Sequence, residues 1–333
     1  GDIILEAVQA LRATTNTAFT NAKLAQANKI AVAEYYSVTK LQSDTDLLDL
    51  QAVVSGVTSS AASVTAAKAA IDANIIDAQF VLTAGVDSFI GNAGNDRFLA
   101  NADTLSLLDS IDGAGGQDTL TVNAIDAAGT TSKAPDFTKA TIKNIEALVI
   151  NASAGGLGAA VDLSTAAFSS FSSVKLLNAA AAATTVTVGA AVDVEVSNST
   201  GQDITIAGGK AVVVANDGAG DIVINGTTAI ASASVTGGLT VGINDLGLEV
   251  DTLTTVSLNG NLGAATIASS KLTSLTLTNN TKDVTVTADA GTRVLGLTLN
   301  KATDGIVTDA TATTLNISST GAASGTPGVS VVA

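Results

Sequence analysis

Apolar residues come in pairs separated by one position, and the pairs recur along most of the chain. From Phe80 onward they include Leu120-Val122, Leu148-Ile150, Val174-Leu176, Val186-Val188, Val194-Val196, Ile204-Ile206, Val212-Val214 and Ile222-Ile224. Such alternation marks short strands with one face buried. The five pairs from Val186 to Ile222 start 8, 10, 8 and 10 residues apart, so two steps close an 18-residue unit. Further on, Val256-Leu258, Leu275-Leu277, Leu297-Leu299 and Leu315-Ile317 start 19, 22 and 18 residues apart, with Val284-Val286 between two of them. A coil this short cannot bury its apolar residues alone, but stacked coils can, and a period near 20 with polar turns points to a β-solenoid. The expected fold is mainly β, a right-handed parallel β-helix. A β-sandwich built from hairpins of eight to ten residues has similar spacings and is the alternative.

The turns agree with short coils. Asn198-Ser199-Thr200-Gly201 and Asn216-Asp217-Gly218 interrupt the apolar pairs. Asn151, Asn178, Asn259, Asn279 and Asn300 follow strands, where asparagine either forms ladders or takes left-handed turn positions. Pro135 and Pro327 fall outside the pairs, as a hydrogen-bonded ladder requires.

Residues 1–79 are a different material. Ile3, Ile4, Ala7, Val8 and Leu11 recur at helical spacing, as do Leu24, Ala27, Ala31, Tyr35 and Val38. Asp46 is placed to cap a helix carrying Leu47, Leu50 and Val54. Ser60 or Ser63 is placed to cap one through Ala67, Ala70, Ile71 and Ile75. The expectation is three to four short helices acting as an anchor or connector.

Acidic residues number 30 against 15 basic ones, for a net charge of −15, and only five of the acids are Glu. Asp suits turns and caps better than helices, and Asp on turns is what a hard, oxygen-seeking cation needs. No basic patch exists to neutralise phosphates, so nucleic acid is not an expected partner. There is no Cys, so there are no disulfides or thiolate sites. No apolar run reaches the roughly 18 residues of a membrane helix, and no signal peptide is visible. With no Met in the chain, the expectation is a fragment or a processed product, with Gly1 left by cloning or by cleavage.

One stretch, 85–122, carries a sequence written twice. Residues 86–98 read VDSFIGNAGNDRF and residues 108–120 read LDSIDGAGGQDTL. At an offset of 22, Asp87 matches Asp109, Ser88 matches Ser110, Gly91 matches Gly113, Gly94 matches Gly116 and Asp96 matches Asp118. The apolar pairs Phe89/Ile111 and Phe98/Leu120 match too. Within each copy the aspartates are nine apart. A nine-residue half-turn with glycines and one Asp fits a calcium β-roll: glycines turn tightly and expose carbonyls, Asp supplies a carboxylate, and an apolar residue fills the core. Residues 91–99 (GNAGNDRFL) and 113–121 (GAGGQDTLT) keep most of that pattern, with Asn92 and Ala114 in place of the second glycine. The half-turns 82–90 (LTAGVDSFI) and 104–112 (TLSLLDSID) keep only the Asp and the apolar residue. Asp87 is expected to pair with Asp109 and Asp96 with Asp118. Asp103 and Asp112 are additional candidate ligands, and carbonyls around Gly85, Gly91, Ala93, Gly94, Gly113, Gly115 and Gly116 complete the candidate set. Calcium takes six to eight oxygens, and carboxylates this close repel without it, so folding here is expected to need Ca2+.

At these residues the chain resembles the RTX-type calcium-binding secreted proteins. Over the fuller string VLTAGVDSFIGNAGNDRFLA to TLSLLDSIDGAGGQDTLTV it is similar to bacterial surface-layer (S-layer) proteins of the Caulobacter type. Upstream, NKIAVAEYYSVT (28–39) also looks like the helical segment preceding this motif there. The resemblance covers about 25–125 and is architectural beyond. It implies type I secretion to the bacterial cell surface, calcium-dependent self-assembly into a homo-oligomeric array, and anchoring of the helical segment to lipopolysaccharide. The expected division is 1–79 helical, 80–125 RTX-like calcium coils and 126–333 solenoid.

The functional expectation is a structural, non-enzymatic subunit of a calcium-dependent surface layer. The alternative is a secreted calcium-dependent adhesin or glycan-binding module, although seven Phe, two Tyr and no Trp supply few sugar-stacking rings. A β-helical lyase or epimerase needs an acid and a base. The chain has no His, its tyrosines Tyr35 and Tyr36 fall in the helical region, and Arg12, Arg97 and Arg293 are scattered.

Overall fold

The computed structural model describes residues 17–39, 47–73, 77–126, 128–129, 131–152, 157, 160–178, 183–199, 201–226, 230–246, 251–289, 292–321 and 330–332. The chain divides into two compact units. One comprises 1–80, 90–98 and 113–118. The other comprises 81–89, 99–112 and 119–333.

Among the described residues the first unit contains three helices, α1 (Thr17–Glu34), α2 (Leu47–Ser55) and α3 (Ala61–Ala73), with a π-helical turn at Tyr35–Thr39. Ser60 caps α3, its hydroxyl accepting the Ala62 N–H at 3.3 Å. Val32, Val53, Val57 and Ile71 form the small core, with Tyr35 and Tyr36 against it. The Tyr35 hydroxyl bonds Asp72 at 2.7 Å, and Lys68 lies over its ring. The α1 stripe differs from the expected one: Leu24 and Val38 are exposed and Val32 is buried. In an Ala-rich helix several faces have similar hydrophobicity, so spacing alone does not select the buried one. The expected helix at residues 3–11, the Asp46 cap and Ile75 lie outside the described residues.

The strands run in chain order. They are β1 (Gln79–Val81), β2 (Ser88–Ile90), β3 (Arg97–Asn101), β4 (Ser110–Asp112), β5 (Thr119–Asn123), β6 (Thr141–Lys143), β7 (Ala147–Asn151) and β8 (Val161–Leu163). Next come β9 (Ser173–Leu177), β10 (Thr184–Val188), β11 (Asp193–Ser199), β12 (Ile204–Ala207), β13 (Ala211–Asn216), β14 (Ile222–Asn225), β15 (Ser232–Gly237) and β16 (Val241–Asn244). The last are β17 (Thr255–Asn259), β18 (Ala265–Ala268), β19 (Ser274–Thr278), β20 (Val284–Thr287), β21 (Val294–Asn300), β22 (Ile306–Asp309), β23 (Thr314–Thr320) and β24 (Ser330–Val332). Odd-numbered strands form one twelve-stranded sheet in sequence order. Even-numbered strands form a three-stranded sheet, β2 to β6, and a nine-stranded sheet, β8 to β24. Neighbours pair in parallel, for example Val194 with Val212 and Ile204 with Ile222. The molecule is a β-solenoid. The sandwich alternative is excluded, because hairpins would pair antiparallel. An isolated antiparallel bridge joins Ile125 and Ser132 outside the strands.

The apolar pairs read from sequence are the core. Val186, Val188, Val194, Val196, Ile204, Ile206, Val212, Val214, Ile222 and Ile224 are all buried, and they alternate between the two long sheets. Each fully buried Val, Leu or Ile is worth about 1.5–3 kcal/mol. The last pair departs from expectation. Leu297 stands opposite Ile317 rather than Leu315, and Ile317 is 54% exposed, because β23 is the outer strand of its sheet. Between β5 and β9 the coils are longer: Leu120 is in register with Leu148, and Leu148 with Val174. The extra length holds Phe137, Phe168 and Phe171, all buried, with Phe168 and Phe171 stacked.

Seven strands of the twelve-stranded sheet end at or beside a left-handed residue: Asn178, Gly201, Gly237, Gly260, Asn279, Lys301 and Gly321. Their N–H groups continue the ladder, as from Gly260 to Thr278 O (2.9 Å) and from Lys301 to Thr320 O (3.0 Å). Two asparagine ladders run alongside. Asn178 donates to Asn151 (2.9 Å) and Asn151 to Asn123 (3.3 Å), while Asn279 donates to Asn259 (3.2 Å). Lys301 is the one residue of the column that is neither Gly nor Asn, with φ of 53°. A left-handed conformation costs such a residue roughly 1–2 kcal/mol. Lys301→Gly is therefore predicted to stabilise the protein by about 0.5–1 kcal/mol, read as a higher urea midpoint. Leu275→Ala in the closed core is predicted to destabilise it by about 2–5 kcal/mol in the same assay.

Candidate metal centre

The duplicated stretch forms two aspartate columns, as its offset of 22 requires. The Asp87 N–H donates to Asp109 Oδ1 (2.9 Å), and the Asp96 N–H donates to Asp118 Oδ1 (2.7 Å). All four side chains are buried. The apolar residues Phe98, Ile111 and Leu120 are fully buried, and Phe98 stacks on Phe80 at 4.9 Å.

The Asp96/Asp118 column belongs to the unit that contains the helices. Asp96 Oδ1 accepts the Ala78 N–H (2.6 Å) and Oδ2 accepts the Asn92 N–H (2.6 Å). Asn92 shapes the turn in place of the consensus glycine, its Oδ1 accepting the Gly94 N–H (2.6 Å). Ala114 holds the other consensus glycine position at φ of 66°, which shows why glycine is favoured there. A Cβ on Gly91 would strike Asp96 Oδ2 and stand 2.5 Å from Gly113 O. A Cβ on Gly116 would strike Gly94 O. A carboxylate oxygen and two carbonyls thus turn toward backbone that carries no side chain.

The Asp87/Asp109 column belongs to the solenoid unit. Asp87 Oδ2 accepts the Thr83 N–H (2.7 Å), and the Thr83 hydroxyl lies 3.1 Å from Oδ1. Asp109 Oδ2 accepts the Ser106 N–H (2.6 Å), and the Ser106 hydroxyl lies 3.1 Å from Oδ1 and 3.0 Å from Gly85 O.

The other candidates lie elsewhere. Asp103 pairs with Lys133, and Asp112 accepts from Asn144 (2.8 Å). Ala93 and Gly115 are exposed in the turns. Asp217-Gly218-Ala219-Gly220-Asp221 forms a coil-to-coil cap: the Asp221 N–H donates to Asp203 Oδ1 (2.8 Å), and Asp221 Oδ1 accepts the Thr240 N–H (3.1 Å). Arg293 is buried and paired with Asp309 at 2.6 Å, a structural role. Three contributors were not singled out in the sequence: Asp77, which accepts the Asn95 N–H at 2.7 Å, Thr83 and Ser106. Asp77 stands 18 residues before Asn95, the period of two half-turns, and that was the available signal.

Among the described residues no three or more acidic, His or Cys side chains gather as a metal-holding group. A cation here would draw on two carboxylates and on backbone carbonyls. Asp96, Asp118, Gly94 O and Gly113 O are a donor set of that kind: all are hard oxygens, and a carboxylate that accepts two N–H groups keeps lone pairs for a metal. No family model, curated protein or solved structure matches the chain.

Burial pushes the Asp96 carboxyl above the usual aspartate range, the Ala78 and Asn92 N–H groups oppose this, and the Asp77 charge adds to it. Burial raises Asp245 likewise, against N–H groups from Leu253 and Thr252. Hydrogen bonds from Thr138 lower Asp136, and those from Ser164 lower Asp162. The first two bind protons more tightly folded than unfolded, so acidification from neutral pH toward their unfolded value favours the fold through them. The other two lose stabilisation as pH falls through their depressed folded values. Carboxyl 13C titration of chelated protein is predicted to place Asp96 and Asp245 above 3.8 and Asp136 and Asp162 below it.

Proposed function

We propose that this protein is a structural subunit of a calcium-dependent bacterial surface layer, with Ca2+ joining the Gly/Asp turns of residues 85–122. The observation that carries the reading is the pair of buried aspartate columns, built by two sequence copies 22 residues apart. Buried carboxylates are costly in an acidic protein unless a cation or hydrogen bonds compensate them. The β-solenoid supplies a rigid body with rows of exposed or half-exposed Ser and Thr, such as Ser232, Thr255 and Ser274, suited to lateral contacts in a hydrated array. Secretion to the cell surface, self-association and attachment of the helical unit to lipopolysaccharide belong to the same proposal. The adhesin reading gains no support, since Phe137, Phe168 and Phe171 are buried rather than displayed. Among the described residues no helix is long and apolar enough to cross a membrane.

Ligand binding to the folded state alone stabilises it by about 2.7 kcal/mol at a hundredfold excess over Kd. The full chain in millimolar CaCl2 is predicted to melt several degrees higher than in EGTA and to form oligomers or sheets by light scattering and electron microscopy. Identical melts would remove calcium from the proposal. A monomer at all calcium concentrations would remove assembly.

A further inference from the structure

The sheet of β2, β4 and β6 stops at β6, its outer strand. In a parallel ladder the N–H and C=O of one residue point to the same neighbour, and successive residues alternate. The Thr141 N–H donates to Asp109 O (2.8 Å), so Thr141 and Lys143 bond toward β4. The N–H and C=O of Ile142 therefore point away from β4, while its side chain is buried.

The next coil places no strand beside them. β7 and β9 pair at an offset of 26, Ala147 with Ser173. Carried back along the coil, the same offset sets Ile142 beside Phe168. Residues Ala166–Phe168 instead form a 3-10 turn that packs on β6. Its bonds are local, from the Phe168 N–H to Thr165 O (3.0 Å) and from the Phe171 N–H to Phe168 O (3.2 Å). The Phe168 ring is buried, and a groove of about 390 Å3 runs between strand and turn. Ala140 to Asn144 line one wall, and Ala167, Ser169 and Ser170 line the other. Among the described residues, Ser170 Oγ is buried without a hydrogen-bond partner, and Lys143 is the one charged side chain lining the groove.

The outward N–H and C=O of an edge strand are matched, donor and acceptor together, by another extended backbone. A lysine on an edge disfavours pairing with the same strand of a second copy, Lys143 against Lys143, and favours a carboxylate beside it. Lys143 is in register with Asp112 on β4, so an acid on an added strand continues the alternation of charge. Thr141 is in register with Ser110, which favours a hydroxyl at that position. The residue between them faces Phe168 and has to be small.

We propose that β6 is a strand-addition site for an extended acidic peptide. The peptide runs parallel to β6, with Ser or Thr beside Thr141, a small residue beside Ile142 and Asp or Glu beside Lys143.

Amide NMR of the full chain tests this with two probes, acetyl-Gly-Ser-Thr-Ala-Asp-Thr-Gly-amide and the same peptide with Lys in place of Asp. The acidic probe is expected to shift the amides of 140–144 and 167–170, to slow hydrogen exchange at Ile142, and to bind about fivefold more tightly than the basic one. Lys143→Gln, at an exposed position, is expected to abolish that difference. No shift at 140–144 in millimolar peptide, equal affinity for the two probes, or a preference that persists in Lys143→Gln would each overturn the proposal. So would an Ile142 amide that in the free protein already exchanges as slowly as that of Ile111.

Discussion

Every element of the β unit depends on the parallel ladder between successive coils. A coil of this protein has too few residues to bury its own Val, Leu and Ile, so its stability lies in the neighbour it hydrogen-bonds to. That constraint explains the small side chains. It also sets several polar corner residues where they bond from coil to coil. Asn123, Asn151 and Asn178 do this through amides, and Asp203 and Asp221 through carboxylates that accept the next coil's N–H. Where the coil lengthens, three phenylalanines fill the added volume.

The aspartates of residues 85–122 use the same ladder with the opposite sense. In the later turns the carboxylate of one coil accepts an N–H from the following coil, as Asp203 does from Asp221. In the duplicated stretch the following coil's carboxylate accepts from the preceding one, as Asp109 does from Asp87 and Asp118 from Asp96. The later carboxylates at Asp203 and Asp221 are also less buried, while all four of the duplicated stretch are enclosed. Desolvating four acids in a chain of net charge −15 makes a divalent counter-charge a physically economical solution.

Much of this was legible before the structure. Alternating pairs such as Ile204-Ile206 and Ile222-Ile224 named the core, because in a strand the inward face repeats every second residue. The offset of 22 named the partners of Asp87 and Asp96, because register in a solenoid is a sequence distance. What was not legible depends on contacts that periodicity does not encode. The choice of Val32 over Leu24 turns on how the helices meet. The exposure of Ile317 turns on its being in an outer strand, and its register on a coil of 20 residues where the apolar spacing suggested 18. Thr83, Ser106 and Asp77 are ordinary turn residues until the fold sets their hydrogen-bonding groups against an aspartate column. The burial of Arg293 against Asp309 is likewise a product of coil register.

The central claim, that buried aspartates of the duplicated stretch hold a cation, is tested most directly by diffraction. Crystals grown in CaCl2 and measured at long wavelength are predicted to give an anomalous difference peak within about 2.3–2.6 Å of carboxylate oxygens of this stretch. A well-phased map with no anomalous peak beside any of Asp87, Asp96, Asp109 or Asp118 would contradict it.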